Sequence, residues 1–150
     1  MDDIDKHILT VMLDNARIPL SDLSKQINLS LPATSERLRK LEKRGFIKSY
    51  VTLLDPEKTG RAFSCFCLVK MKEHSASDAT SLIDFAEKSD EIMACHHITG
   101  AYNYLLKIMT RSSKDMEQLI KRMQTELKVS NTDTFIVLNT LKDTISVLPD

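Results

Sequence analysis

The sequence predicts an α+β chain in two parts: three helices with an extended hairpin, then a four-stranded sheet carrying two helices. Three observations lead there. Apolar residues recur at helical spacing as far as Gly45 and alternate as in strands beyond Gly60. Capping serines, prolines and glycines fall where helices should start and stop. The second part reads strand-helix-strand twice over, the split arrangement of a ferredoxin-like βαββαβ sandwich. With 150 residues, 42% hydrophobic and 28% charged, the chain can bury a core as one ordinary domain or two small ones.

The first helix starts at Asp2 or Asp3 and carries Ile4, Ile8, Leu9, Met12 and Leu13 on one stripe to about Asn15. Pro19 forbids its continuation, and Ser21 is placed to cap a short second helix with Leu23 and Ile27 facing inward and Asn28 closing it. Ser30 can cap a third helix that admits Pro32 in its first turn and stops at Gly45. At about 100° per residue, Thr34, Leu38 and Leu41 share an arc of about 60°, which leaves the rest of that helix free. Phe46 to Leu54 reads as extended, with a bend near Lys48-Ser49, and makes a wing-like appendage.

Beyond Gly60, Phe63, Cys65, Cys67, Val69 and Met71 alternate along one side of a strand, with Phe66 and Leu68 on the other. Ser75 can cap a helix bearing Ala79, Leu82, Ile83 and Ala86, and strands follow at Ile92–Ile98 and Tyr104–Thr110. A second helix starts at Ser112 or Ser113 and carries Met116, Leu119, Ile120, Met123 and Leu127, ahead of a strand from Thr132 to Thr140. Leu141 to Leu148, with Ile145 and Val147, would add an edge strand. One sheet face then lies open, a surface on which a second copy can pack.

Net charge is zero, with 21 bases against 21 acids, so nothing marks the whole chain as basic. The arrangement is more informative. Between residues 37 and 48, Arg37, Arg39, Lys40, Lys43, Arg44 and Lys48 face a single acid, Glu42. Such a stripe is either a solvated helix face or the electrostatic footprint of a nucleic-acid contact. Its setting favours the second reading. A short helix, a turn of about three residues and a second helix with small residues leading and bases trailing make a helix-turn-helix. Small leading residues let the backbone approach base edges in the major groove, and the bases behind them neutralise phosphates. The candidate contacts to double-stranded DNA are Ser30, Pro32, Ala33, Thr34, Ser35, Glu36, Arg37, Arg39, Lys40, Lys43 and Arg44.

The ordered set of short motifs resembles the Lrp/AsnC family of bacterial and archaeal transcription factors. It comprises Asp2-x-x-Asp5-x-x-Ile8-Leu9, Asn15-Ala16-Arg17-Ile18 and Leu29-Ser30-x-Pro32-Ala33-x-Ser35-Glu36-Arg37-Leu38-Arg39-Lys40-Leu41-Glu42-x-x-Gly45-Phe46-Ile47. Leu54-Asp55-Pro56, Cys95-His96-x-Ile98-Thr99-Gly100-x-Tyr102-x-Tyr104-Leu105-Leu106-Lys107 and Leu148-Pro149 complete it. The resemblance implies a winged helix-turn-helix over residues 1–60, with its short linker, and a ferredoxin-like, RAM-type ligand-binding and oligomerisation domain over 61–150. It implies dimers, and octamers made of dimers, whose DNA binding answers to a small molecule such as an amino acid; no cofactor is expected. The candidate effector residues are His97, Gly100, Ala101, Tyr102 and Asn103, with Ile136 on the last strand.

Two departures from the family pattern stand out. Thr34 takes a core-facing position often held by Val or Cys, where its hydroxyl can bond back to the helix backbone. Ala101 and Asn103 stand where the family commonly has an acid at one or both positions, so an effector ammonium would find only the Asn103 amide oxygen.

Cys65-Phe66-Cys67 and Cys95-His96-His97 carry zinc-ligand types, yet strand alternation sends the first two thiols into the core and the two imidazoles to opposite sides. No metal is expected. There is no phosphate loop, nucleophile elbow or acid-base pair at catalytic spacing, so no enzyme is expected. No apolar run approaches the roughly 18 residues that span a bilayer, and the acidic start is unlike a secretory signal, which predicts a cytoplasmic protein. Two other readings remain open: an architectural protein that wraps DNA without sequence preference, and a small-molecule or thiol sensor.

Overall fold

Asp2 opens the first helix as expected. Its carboxylate accepts the Asp5 amide hydrogen at 2.8 Å and starts α1 (Asp3–Asp14). In this computed structural model residues 1–72, 76–144 and 146–150 are described. The expected cap at Ser75 and the apolar Ile145 lie outside the described residues. They divide into two compact units, Met1–Leu53 with Lys142–Asp150, and Leu54–Leu141.

In the first unit α2 (Leu20–Gln26) begins one residue before the expected cap: the Pro19 carbonyl takes the Asp22 and Leu23 amides, and the Ser21 hydroxyl caps nothing. Proline supplies the correct φ for a helix entrance and needs no side-chain acceptor. The helix ends as Asn28 turns to φ +55, with the Leu29 amide on the Ser24 carbonyl and the Asn28 amide on the Lys25 carbonyl. This is a Schellman closure with asparagine in the left-handed position. α3 (Leu31–Lys43) closes the same way with Gly45 at φ +76, the Phe46 amide reaching the Leu41 carbonyl. Ile8, Leu23, Ile27 and Leu41 meet as the core of this unit. Fully burying each such side chain is worth about 1.5–3 kcal/mol.

Phe46 to Leu54 forms no β-ladder among the described residues, so the expected hairpin is an extended segment without a paired strand. A ladder needs a partner, and what holds this segment instead is the Tyr50 hydroxyl, donated to Glu42 Oε1 at 2.7 Å. Partial burial first, and the Glu42 carboxylate second, push that phenol up to about 12.

The second unit is a four-stranded antiparallel sheet in the order β2 (Ile92–His97), β3 (Tyr104–Thr110), β1 (Phe63–Met71) and β4 (Val129–Ile136). α4 (Ala76–Lys88) and α5 (Ser113–Glu126) contribute Leu82, Phe85, Leu119 and Met123 to its core. Phe85 rather than Ile83 joins Leu82 there, because the buried stripe of α4 runs through positions 78, 82, 85 and 89. The last strand starts at Val129, opposite Met71, and ends at Ile136, opposite Cys65. In that register residues 139 and 140 fall beyond the start of β1, and among the described residues no ladder continues after Ile136. No strand occurs among the described residues of 141–148 either.

Register sorts the two sheet faces. Cys65, Cys67 and Val69 are fully buried beneath the helices. Phe66 pairs with Phe135, Leu68 with Asp133 and Lys70 with Asn131, all on the opposite face. That face is the open one, with Phe135 57% exposed.

Candidate functional site

The α3 face is built from its entrance outward. The Ser30 hydroxyl accepts the Ala33 amide and its carbonyl accepts the Thr34 hydroxyl at 3.0 Å, so both ends of this residue organise the first turn. Thr34 is fully buried beside the helical core, which removes it from the expected DNA contacts. It anchors the helix instead. Ser30, Pro32, Ser35, Glu36, Arg39, Lys40, Lys43 and Arg44 are exposed, and Ala33 and Arg37 half-buried, so the small leading residues and the trailing bases share the accessible surface.

The cations on this helix are not equivalent. Arg37 Nη1 donates to Asp2 Oδ2 at 2.7 Å and to Asp5 Oδ1 at 2.8 Å, bridging α3 to the first turn of α1. Its guanidinium thereby ties two helices together, a role that the basic run alone did not reveal. The Asp5 amide first, and Arg37 second, hold the Asp2 carboxyl below its usual range. Glu36 accepts two hydrogens from Arg39, at 3.0 and 2.8 Å, and lies 3.6 Å from Lys40. The Arg39 bond chiefly holds the Glu36 carboxyl below its usual range. Arg44 lies 4.9 Å from the Phe46 ring centroid, where the cation can stack without losing its charge. Lys43 and Lys48 have no ion pair among the described residues. Lys43, Arg44 and Lys48 are therefore the charges that a phosphate meets without first breaking a carboxylate contact.

The second candidate region is the connection from β2 to β3. His97 pairs in register with Tyr104, their rings 5.2 Å apart, and Ile98 to Asn103 close the loop between them. Gly100 sits at φ +116, a conformation that side chains rarely adopt, although a Cβ there would touch nothing within 4 Å. Asn103 locks the loop: its amide donates to the Val69 carbonyl at 2.9 Å, its carbonyl accepts from Ile98, and its side-chain oxygen accepts the Met71 amide at 2.8 Å. That oxygen is already engaged with the backbone of β1, which corrects the expectation that it stands ready for an effector ammonium.

Ala101 lies exposed in the same loop. Tyr102 reaches across β1 to β4, where its hydroxyl donates to Asp133 and accepts from Asn131 Nδ2 at 3.2 Å. The Asp133 bond is the main cause holding this phenol above its usual range. Asp133 and Asn131 were missed by sequence reasoning; the signal available was alternation along β4, which puts positions 131, 133 and 135 on one face. Ile136 does not join this group within one protomer. It stands opposite Cys65, four residues along β1 from Val69, which the turn bonds, a separation of about 13 Å at strand rise.

The thiols offer no reactive centre. Burial pushes Cys65 up to about 11 and raises Cys67 and Cys95 as well, which leaves little thiolate for redox sensing.

Two family models match the chain. One described as a winged helix-turn-helix DNA-binding domain covers residues 1–48, and one described as the Lrp/AsnC ligand binding domain covers residues 64–147. The chain is 33% identical over 144 residues to the HTH-type transcriptional regulator FL11 of Pyrococcus horikoshii, covering 96% of this chain and 93% of that one. It is 31% identical over 151 residues to the glutamate uptake regulatory protein of Zymomonas mobilis, covering 100% and 92%. Among solved structures it superposes on a transcriptional regulator of Neisseria meningitidis in complex with L-methionine with a TM-score of 0.93 at 25% identity, covering 98% and 96%. A feast or famine regulatory protein of M. tuberculosis complexed with L-methionine gives 0.87 at 27% identity, covering 99% of each chain.

Proposed function

This chain belongs to the Lrp/AsnC family, DNA-binding transcriptional regulators rather than enzymes, and on that basis we propose that residues 1–60 hold operator DNA while residues 61–150 bind an amino acid and self-associate. The observation that carries the DNA reading is the division of α3: Thr34 and Leu41 anchor it from within, and Ser30, Pro32, Ser35, Lys43 and Arg44 stand outside. The leading residues read base edges in the major groove. Lys43, Arg44 and Lys48 take phosphates, with Ala33, Glu36, Arg39 and Lys40 at the margin and Arg37 setting the angle of the helix.

Self-association uses the open sheet face, where Phe66 and Phe135 lie opposite one another. A dimer brings two recognition helices to the two halves of a symmetric site about one helical turn apart. Higher assembly, up to an octamer, brings Ile136 of one protomer toward the His97-to-Asn103 turn of another. The amino acid binds at that turn, and its preference for one assembly changes the spacing of the helices and so the affinity for DNA. L-Methionine bound to the two structural neighbours supports this class of effector. The protein acts in the cytoplasm, with the DNA. Among the described residues no helix is long and apolar enough to cross a membrane.

Titration of the duplex upstream of this gene, against a random duplex of equal length over a range of salt, tests the reading. A preference of about a thousandfold or more is expected of a specific regulator. Equal affinity would favour the architectural alternative.

A further inference from the structure

We propose that a cleft on the helix side of the sheet, between Arg61 and Arg122, binds a phosphate monoester of a hydroxylated small molecule. The cleft has a volume of about 520 Å³, inside the range of small-molecule sites, and Arg61, Glu91, Arg111, Gln118 and Arg122 line it. Thr110, the last residue of β3, lies on its wall, whereas Tyr104 begins that strand at the turn from β2. The length of the strand, about 20 Å, separates the cleft from the amino-acid site proposed above. Neither site depends on the other.

Two long side chains from distant parts of the sequence converge on one short connection, the turn between α4 and β2. Arg61 Nη1 donates to the Asp90 carbonyl at 2.6 Å, and Arg122 Nη2 donates to the Ser89 hydroxyl at 2.8 Å. Ser89 is buried, and its hydroxyl spends its one hydrogen on the Phe85 carbonyl at 2.7 Å, so toward Arg122 it can only accept. Arg122 also lies 5.1 Å from the Phe85 ring centroid, a contact that orients a cation without neutralising it. Both guanidiniums are thus positioned chiefly by neutral groups. Held at adjacent residues, they repel one another, and an anion between them relieves that repulsion.

The acids of the region do not fill this place. Asp115 is matched to Arg111 at 3.3 Å, and Glu126 stands 3.9 Å from Arg122 Nε, at the limit of an ion pair. Glu91 follows Asp90 in the chain and has no ion pair among the described residues. Three guanidiniums therefore line the cleft against two carboxylates, a surplus of one positive charge. Planar guanidinium forks match phosphate oxygens in pairs, with bonds roughly twice as strong as neutral ones. Glu91 repels a bare dianion and accepts hydrogens from a hydroxyl. Together these groups select a ligand with a phosphate at one end and hydroxyls at the other, and Gln118 can donate or accept beside them.

The test is calorimetric titration of the full chain with ribose 5-phosphate, glucose 6-phosphate and AMP, with ribose and inorganic phosphate as controls. At least one ester is expected to bind the wild type more tightly than inorganic phosphate does, and ribose is expected not to bind. Arg61→Gln and Arg122→Gln should each weaken that ester about tenfold or more, while Arg44→Ala on α3 binds as wild type. Circular dichroism melting checks the fold, and if R122Q melts early, R61Q alone decides. Glu91→Gln should bring inorganic phosphate closer to the ester; an unchanged preference overturns the selection for hydroxyls. Wild-type affinity in the arginine variants, an equal loss in R44A, or failure of all three esters to bind overturns the site. A fall of about one unit in the slope of log DNA affinity against log salt for R61Q would give the cleft to the DNA backbone and overturn the small-molecule assignment.

Discussion

The two candidate faces use their carboxylates in opposite ways, although around α5 the sheet unit carries matched pairs of its own, Arg111 with Asp115 and Lys121 with Glu117. In the helical unit Asp2, Asp5 and Glu36 are matched to arginines and a lysine, so acids there position or restrain the cations of α3. In the sheet unit Asp133 is met by the Tyr102 phenol rather than by a cation. Matched pairs build a face for a polyanion and decide which cations remain available to it. A carboxylate held by a neutral donor is suited to capturing a cation.

The comparison breaks most visibly if the units do not stand on separate cores. Leu41→Ala should cost about 2–5 kcal/mol in the helical unit, and Leu106→Ala the same in the sheet unit. Hydrogen exchange read by residue should show each change confined to its own unit. Loss of protection across the whole chain would show a single cooperative core.

A smaller effect compares two equivalent caps. Ser30 accepts the Ala33 amide at the head of α3, and Ser112 accepts the Asp115 amide at the head of α5. Ser30→Ala and Ser112→Ala should each cost about 1 kcal/mol in thermal or denaturant melts. Only the first should weaken DNA binding.

The charge argument is sharpened by salt dependence. Lys43→Ala and Arg44→Ala should each lower the slope of log affinity against log salt by about one unit. Lys40→Ala should lower it by less, because Glu36 already shares that cation; in a Glu36→Gln background the Lys40 contribution should rise toward the others. Equal slopes for all three lysine and arginine variants in the wild-type background would refute the ranking.

The smallest effect is in acid. Asp2 is held below its ordinary 3.8, so its contribution is fully present above that value and is lost as pH falls through the lower, folded value. Melting temperature against pH should therefore fall in this window for wild type, and less steeply for Asp2→Asn. Parallel curves would remove the Asp2 carboxylate, with its bonds to the Asp5 amide and to Arg37, from the pH dependence of the unit's stability.

How much could be read from the chain in advance follows the same division. The start and stop of α3 are local matters, a serine three residues ahead of an amide and a glycine just past the last turn, so both were legible. The Arg37 bridge spans 35 positions to Asp2, and no spacing rule links them. Tyr102 and Asp133 are 31 positions apart and meet only through a sheet order in which β1 separates them. The extended segment after Phe46 has strand composition, but composition cannot supply the neighbour that a ladder requires. Thr34 was legible as a core position from its arc and was still counted among the DNA contacts because it sits in the leading turn. Burial separates the two roles.

The shielded thiols have a practical use at the bench. Cys65 and Cys67 lie beneath the helices, and all three cysteines are held protonated. Maleimide dyes and spin labels react with thiolates. A cysteine introduced at an exposed position such as Lys48 or Ala101 would outcompete the native ones, giving fluorescent reporters of each unit without first stripping the chain of its own sulfur.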